Sequence, residues 1–239
     1  MKKIMIMGIA FLAAFLEQLF HESVHALVAL LVQADVHQFH FFAVDISLPS
    51  TLNHEIWRAC CIHGSASLAN IVCFFIFWWL FSLCLHRRWL ALFFFYFASF
   101  SLFSGFGYLF FDAVVINEHS VGDWSQVLLL LGNPLWLRII LFVIGSAGIV
   151  CGYFWMGKHA QYFQIQGLSK KQSGFVLCVG AYLFVNIIFT ALSVFHPLGN
   201  VGIMVVIFKS WLGFSGFFWA FFIQYICRDL PQPKYSFIL

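Results

Sequence analysis

The chain has 239 residues, of which 63% are hydrophobic and 9% charged, and its formal net charge is +3. A soluble domain usually carries about 25% charged residues. So few charges, with a mean hydropathy of +0.95, argue against a water-soluble fold and for a protein that faces a lipid bilayer. The small net charge, with no basic stripe to neutralise phosphates, argues against a nucleic-acid partner.

Crossing a bilayer as a helix takes about 20 apolar residues. Six stretches qualify, at approximately 4–33, 59–85, 89–116, 136–156, 173–195 and 201–226. The expected fold is an all-α polytopic membrane protein with about six transmembrane helices, forming a single domain over 1–239. Lys2 and Lys3 precede the first stretch as they would in a signal peptide. The apolar run from Ile4 to Val32 is longer than a signal-peptide core. It also contains Glu17, His21, Glu22 and His25, so it reads as a retained helix.

A stretch of about 34–58 follows. Val36-His37-Gln38-Phe39-His40-Phe41 and Val44-Asp45-Ile46-Ser47-Leu48 alternate polar and apolar residues. That period of two predicts a short β-hairpin, broken at Pro49-Ser50. In the third span, Ser101, Ser104, Gly105 and Gly107 predict a close-packing helix face. A second connecting stretch, about 117–135, holds Asn117, Glu118, His119, Gly122-Asp123-Trp124 and Gly132-Asn133-Pro134.

Lys and Arg accumulate on cytoplasmic flanks. Alternating sides from an inside amino terminus collects Lys2, Lys3, Arg87, Arg88, Lys158, Lys170, Lys171, Arg228 and Lys234 on one face. Arg58, Arg138 and Lys209 are left at outer flanks or within a span. Both termini are therefore expected in the cytoplasm. The seven cysteines include no C-x-x-C pair. Most lie in apolar runs and read as buried small hydrophobes.

His21-Glu22-Ser23-Val24-His25 carries the chemical signal. Residues four apart share one face of a helix, so the two imidazoles can meet one ion. Zinc lowers the pKa of its water, and a neighbouring Glu can act as base and then acid. Ionisable groups inside a span cost several kcal/mol unless paired or metal-bound, which makes this cluster functional by default. A catalytic zinc needs a third protein ligand and an open position. Asp123 is the favoured third ligand, beside Gly122, which permits close backbone approach. Asp112, deep in the third span, is the alternative. Glu17, one turn before His21, reads as either a support for the site or a partner for another span. Among the remaining histidines, His63 and His119 stand nearest the expected site.

These residues resemble the site-2 protease family of intramembrane zinc metalloproteases, as a small multi-span member. The resemblance rests on His21-Glu22-Ser23-Val24-His25-Ala26, on Ser65-Ala66-Ser67-Leu68-Ala69-Asn70 and on Gly122-Asp123-Trp124. It covers roughly the first 125 residues. It implies a catalytic core within 1–135, with Zn2+ on His21, His25 and Asp123 and Glu22 as catalytic base. It also implies that Asn70 helps hold the substrate or the active-site helices, and that the substrate is a membrane protein or transmembrane peptide. Residues 36–48 would then offer a strand edge to an unwound substrate. The chain departs from the family in Val24, where Gly is usual, and in lacking the Leu-Asp-Gly form of the third-ligand motif. Its charge pattern also puts the site nearer the outer face, whereas family members often hold it nearer the cytoplasm. Two other classes fit the same residues. One is a transporter or channel whose polar first helix lines an ion path. The other is a catalytically inactive relative that binds membrane helices.

Overall fold

The structure is a computed structural model and describes residues 2–49, 55–115, 122–197, 199–200, 202–204, 206–207, 220–224 and 237–238. Helix α1 runs Lys2–Leu31, about 45 Å at 1.5 Å per residue. It is stopped by Gln33 in the left-handed region, φ 62°. The amides of Gln33 and Ala34 then close back onto the carbonyls of Leu30 and Ala29. This paired closure satisfies carbonyls that the helix end leaves open, and it turns the chain directly into a hairpin.

Strands β1 (Asp35–His40) and β2 (Ala43–Ser47) form that hairpin, antiparallel, with an irregularity between Val36 and Gln38. Val36, Ile46 and Leu48 pack onto Ala29, Val32, Ala34 and Ile62. The period-two pattern expected between 36 and 48 thus folds its apolar side onto the end of α1 and the start of the next helix. Arg58 ties the same corner together, with one guanidinium nitrogen donating to the Val32 carbonyl and another to Glu55. That bond to Arg58 is the main reason the partly exposed Glu55 carboxyl titrates below its ordinary range.

Helix α2 (Ile56–Leu83) returns antiparallel to α1. The third span combines α3 (Arg88–Leu102), a wide turn at Phe103–Gly107 and α4 (Tyr108–Val114). It is the central span. In its most apolar window 72% of residues are buried, against 28–33% in the other long helices. The expected close-packing face is realised at Gly105, where a methyl group would press on Ile71 and the Ser67 carbonyl of α2.

The second connecting stretch, about 117–135, contains a helix, α5 (Asp123–Leu130). Helix α6 (Leu135–Ala160) follows, and its Gly145 lies against the backbone of Phe110. Beyond strand β3 (Phe163–Gln164), α7 (Lys170–Gly174) opens with a capping box at Ser169 and Gln172. A second wide turn, Phe175–Gly180, leads to α8 (Ala181–Leu192). Near the carboxyl end, β4 (Phe237–Ile238) pairs parallel to β3. The expected sixth span, 201–226, falls largely outside the described residues.

Five helical stretches among the described residues are long and apolar enough to cross a membrane. The main core joins the first half of α1 to α3 and the ends of α2 and α6, around Phe81, Phe95, Tyr96, Trp155 and Phe163. Large apolar side chains such as Trp79, Trp136, Val143 and Ile187 point outward, as a lipid-facing surface requires. Glu17, Gln18, His21, Glu22 and His25 lie in the second half of the first helix.

Candidate metal centre

His21, Glu22 and His25 occupy successive positions on the inward face of α1, at 3%, 5% and 8% exposure. Their rings and carboxylate face α2, α5 and the hairpin rather than lipid. The imidazole centroids of His21 and His25 are 5.0 Å apart and nearly perpendicular. Asp123, the first residue of α5, reaches both. Its Oδ2 lies 3.2 Å from His21 Nε2 and its Oδ1 lies 3.4 Å from His25 Nε2. One donor atom from each residue falls within 4.8 Å of the others.

The His–Asp separations, to two different carboxylate oxygens, lie in the range of donors around one ion and equally in that of hydrogen bonds. Ligands bound tetrahedrally at 2.0–2.1 Å are about 3.3 Å apart along each edge. The donor chemistry fits as well, since two imidazoles and a carboxylate with one side open is a catalytic zinc set.

The orientation of His25 is fixed from behind. Its Nδ1 is 2.7 Å from the carbonyl oxygen of Ile62. A carbonyl can only accept, so Nδ1 donates, and Nε2 is the ring atom left to face the cluster. His21 is flanked by the Tyr108 ring, stacked at 5.4 Å. The wide turn at Phe103–Gly107 immediately precedes Tyr108; such extra-residue turns are frequent at functional sites.

Asp123 is held by Ser67 Oγ, which donates to its Oδ2 at 3.1 Å. Asp112 plays a different part from the ligand role weighed for it. Its carboxylate accepts from the Trp124 amide at 2.8 Å and the Ser125 amide at 3.3 Å. These are among the amides that a helix start leaves open, so Asp112 caps α5 from a separate helix. Gly122 makes the approach possible, because a Cβ there would collide with the Asp112 carboxylate. Asp112 thus sets where Asp123 begins its helix.

Glu22 borders a cavity of about 340 Å³, where it sits with His21, His25 and Asp123. Residues Phe42, Ala43, Val44 and Ile46 of the hairpin form another part of the wall. Gln18 Nε2 donates to Glu22 Oε1 at 2.8 Å and fixes one end of the carboxylate.

Sequence reasoning passed over Gln18, and over His196, which lines the cavity and stacks on Phe42 at 5.9 Å. A polar residue four before Glu22 was the available sign for Gln18. His196 carried no local sign. His63 also lines the cavity, while His119 lies outside the described residues. Asn70 meets His21 directly, its amide nitrogen 2.9 Å from Nδ1.

Comparisons with family models, with curated proteins and with solved structures give no match.

Proposed function

We propose that the protein is a zinc-dependent intramembrane endopeptidase that hydrolyses peptide bonds of membrane-embedded substrates. The observation that carries this reading is the meeting of Asp123 with two imidazoles from a helix about 100 residues earlier, beside Glu22 and an open cavity. His21, His25 and Asp123 are the residues that would hold the metal. Zinc bound there supplies a Lewis acid that polarises a carbonyl and makes water nucleophilic at neutral pH. Glu22 takes a proton from the attacking water and returns it to the leaving nitrogen, with Gln18 keeping its carboxylate in place.

The hairpin gives the substrate a place to lie. A helix must unwind before its peptide bond is accessible, and its freed amides and carbonyls then need partners. In its sheet β2 pairs with β1 on one side, and β2 forms part of the cavity wall. Its outer edge suits an extended segment held by main-chain hydrogen bonds. Val44→Pro removes an amide from that strand. KM for a membrane-spanning peptide is expected to rise several-fold with zinc content unchanged, and an unaltered KM would take β2 out of substrate binding.

The placement of Lys and Arg supports an amino terminus in the cytoplasm. His25 then lies about 9 Å from the outer end of α1 and about 34 Å from Lys2. On this reading the scissile bond belongs to the outer half of the bilayer.

Metal removal tests the proposal. Purified protein in proteoliposomes is given a fluorogenic transmembrane peptide containing helix-weakening residues. Chelation is expected to stop cleavage, and stoichiometric zinc to restore it. Cleavage that continues at full rate in metal-free protein would overturn the reading.

A further inference from the structure

One face of α2 backs the metal site. Ser67 holds Asp123, Asn70 meets His21, and the Ile62 carbonyl holds His25. Residues three and four apart share a helix face, so Ala59, His63, Ser67 and Asn70 form one stripe. His63 stands one turn before Ser67, about 6 Å along the axis, towards the end of α2 where the hairpin packs. Its neighbours in sequence flank it. Ile62 packs on the end of α1, and Gly64 lies against the Trp124 indole of α5. His63 therefore faces the space between α1 and α5, and with Ala59 it lines the cavity there.

His63 takes no part in the chemistry above. Its ring is not in the group of side chains that could share one ion. Among the described residues its ring nitrogens have no hydrogen-bond partner, and they are not closed off from the cavity. Gln126 and His196 also line the cavity, but each already interacts with other groups. Enclosed polar groups are normally hydrogen-bonded, so an imidazole left open onto a cavity suits a ligand that completes it. Peptide hydrolysis creates such a ligand. When water adds to the carbonyl carbon, the C=O π pair moves onto oxygen, and that charge is stabilised by donors placed where it develops. The pair returns to the carbon–oxygen bond as the C–N bond breaks and the leaving nitrogen takes its proton from Glu22. An imidazole carries an N–H in both its neutral and its charged form, so it can donate throughout and gives up no proton.

We propose that His63 is a catalytic residue of the hydrolysis, donating a ring N–H to the substrate's carbonyl oxygen as negative charge builds on it. The proposal rests on the peptidase reading of the site. It divides the work between two helices, with the base Glu22 coming from α1 and the donor from α2.

The test compares the parent, His63→Ala and His63→Gln in the proteoliposome assay, each with its zinc content and circular dichroism measured. His63→Ala is expected to lower kcat by about 10²–10³-fold, the usual cost of losing one such donor, with KM and bound zinc unchanged. His63→Gln keeps an N–H and is expected to recover a large part of that loss. A second readout needs no turnover. A phosphinic peptide carries a tetrahedral, negatively charged group in place of the scissile amide. In Glu22→Gln protein its affinity should fall by about 10²–10³-fold when His63→Ala is added, while the affinity of the intact peptide stays the same.

Parent-level kcat in His63→Ala would overturn the proposal, as would equal losses of affinity for the phosphinic and the intact peptide. Loss of zinc from folded His63→Ala would make the residue a ligand and would overturn it too. If His63→Ala does not fold, nitrogen-15 NMR of the His63 ring in the parent decides. Its N–H proton signal is expected to move downfield when the phosphinic peptide binds, and an unmoved signal rejects the role. A parent protein that neither cleaves the peptide nor binds its phosphinic form defeats the proposed function itself, and this role with it.

Discussion

Replacing Glu22 with Gln is expected to slow peptide cleavage by about 10²–10⁴-fold, the usual contribution of a positioned acid–base group. Zinc should stay bound, because Glu22 is outside the ligand cluster. The substitution keeps the shape of the side chain and the contact with Gln18, whose amide now donates to the Glu22 carboxylate. What disappears is a group able to take a proton. Cleavage assays on the parent and variant, each with its zinc content measured, check this. A variant with full zinc and full activity would remove Glu22 from the chemistry.

The second large effect separates the two aspartates. Asp123→Ala removes one of the three proposed ligands and leaves two imidazoles on a single helix, so zinc affinity should fall by more than about 100-fold, beyond the loss expected for a supporting group. Asp112→Ala leaves the ligands in place but strips the start of α5 of its acceptor. An unpaired buried amide costs about 1–3 kcal/mol, and the start of α5 is then free to shift Asp123. Affinity should drop by about 10–100-fold and be recovered at excess zinc. Titrating both variants with zinc distinguishes them. Complete loss in Asp112→Ala alongside normal binding in Asp123→Ala would exchange their roles.

What could be read from the sequence follows from how local each signal is. His21 and His25 are one helical turn apart, and the hairpin shows its period of two along a continuous stretch, so both were readable. Five of the six expected spans correspond to long helices, since apolar length is also a local property. The start of α5 was not readable. Its first amides are capped by Asp112, which belongs to a different helix, and no spacing rule links the two. The same non-local capping explains why Asp112 looked like a ligand: it is a buried carboxylate near the site, used for another purpose. His196 reaches the cavity by chain return over 171 residues from His25, and only the folded molecule brings it there. The contact of Asn70 with His21 is visible only in the folded molecule.

Zinc K-edge X-ray absorption on the purified, zinc-loaded protein addresses the metal site most directly. The expected spectrum has two imidazole nitrogens and carboxylate oxygen at about 2.0–2.2 Å, with the oxygen component altered in Asp123→Ala and unchanged in Glu22→Gln. A shell of sulfur at about 2.3 Å, or a spectrum indifferent to Asp123, would contradict the site.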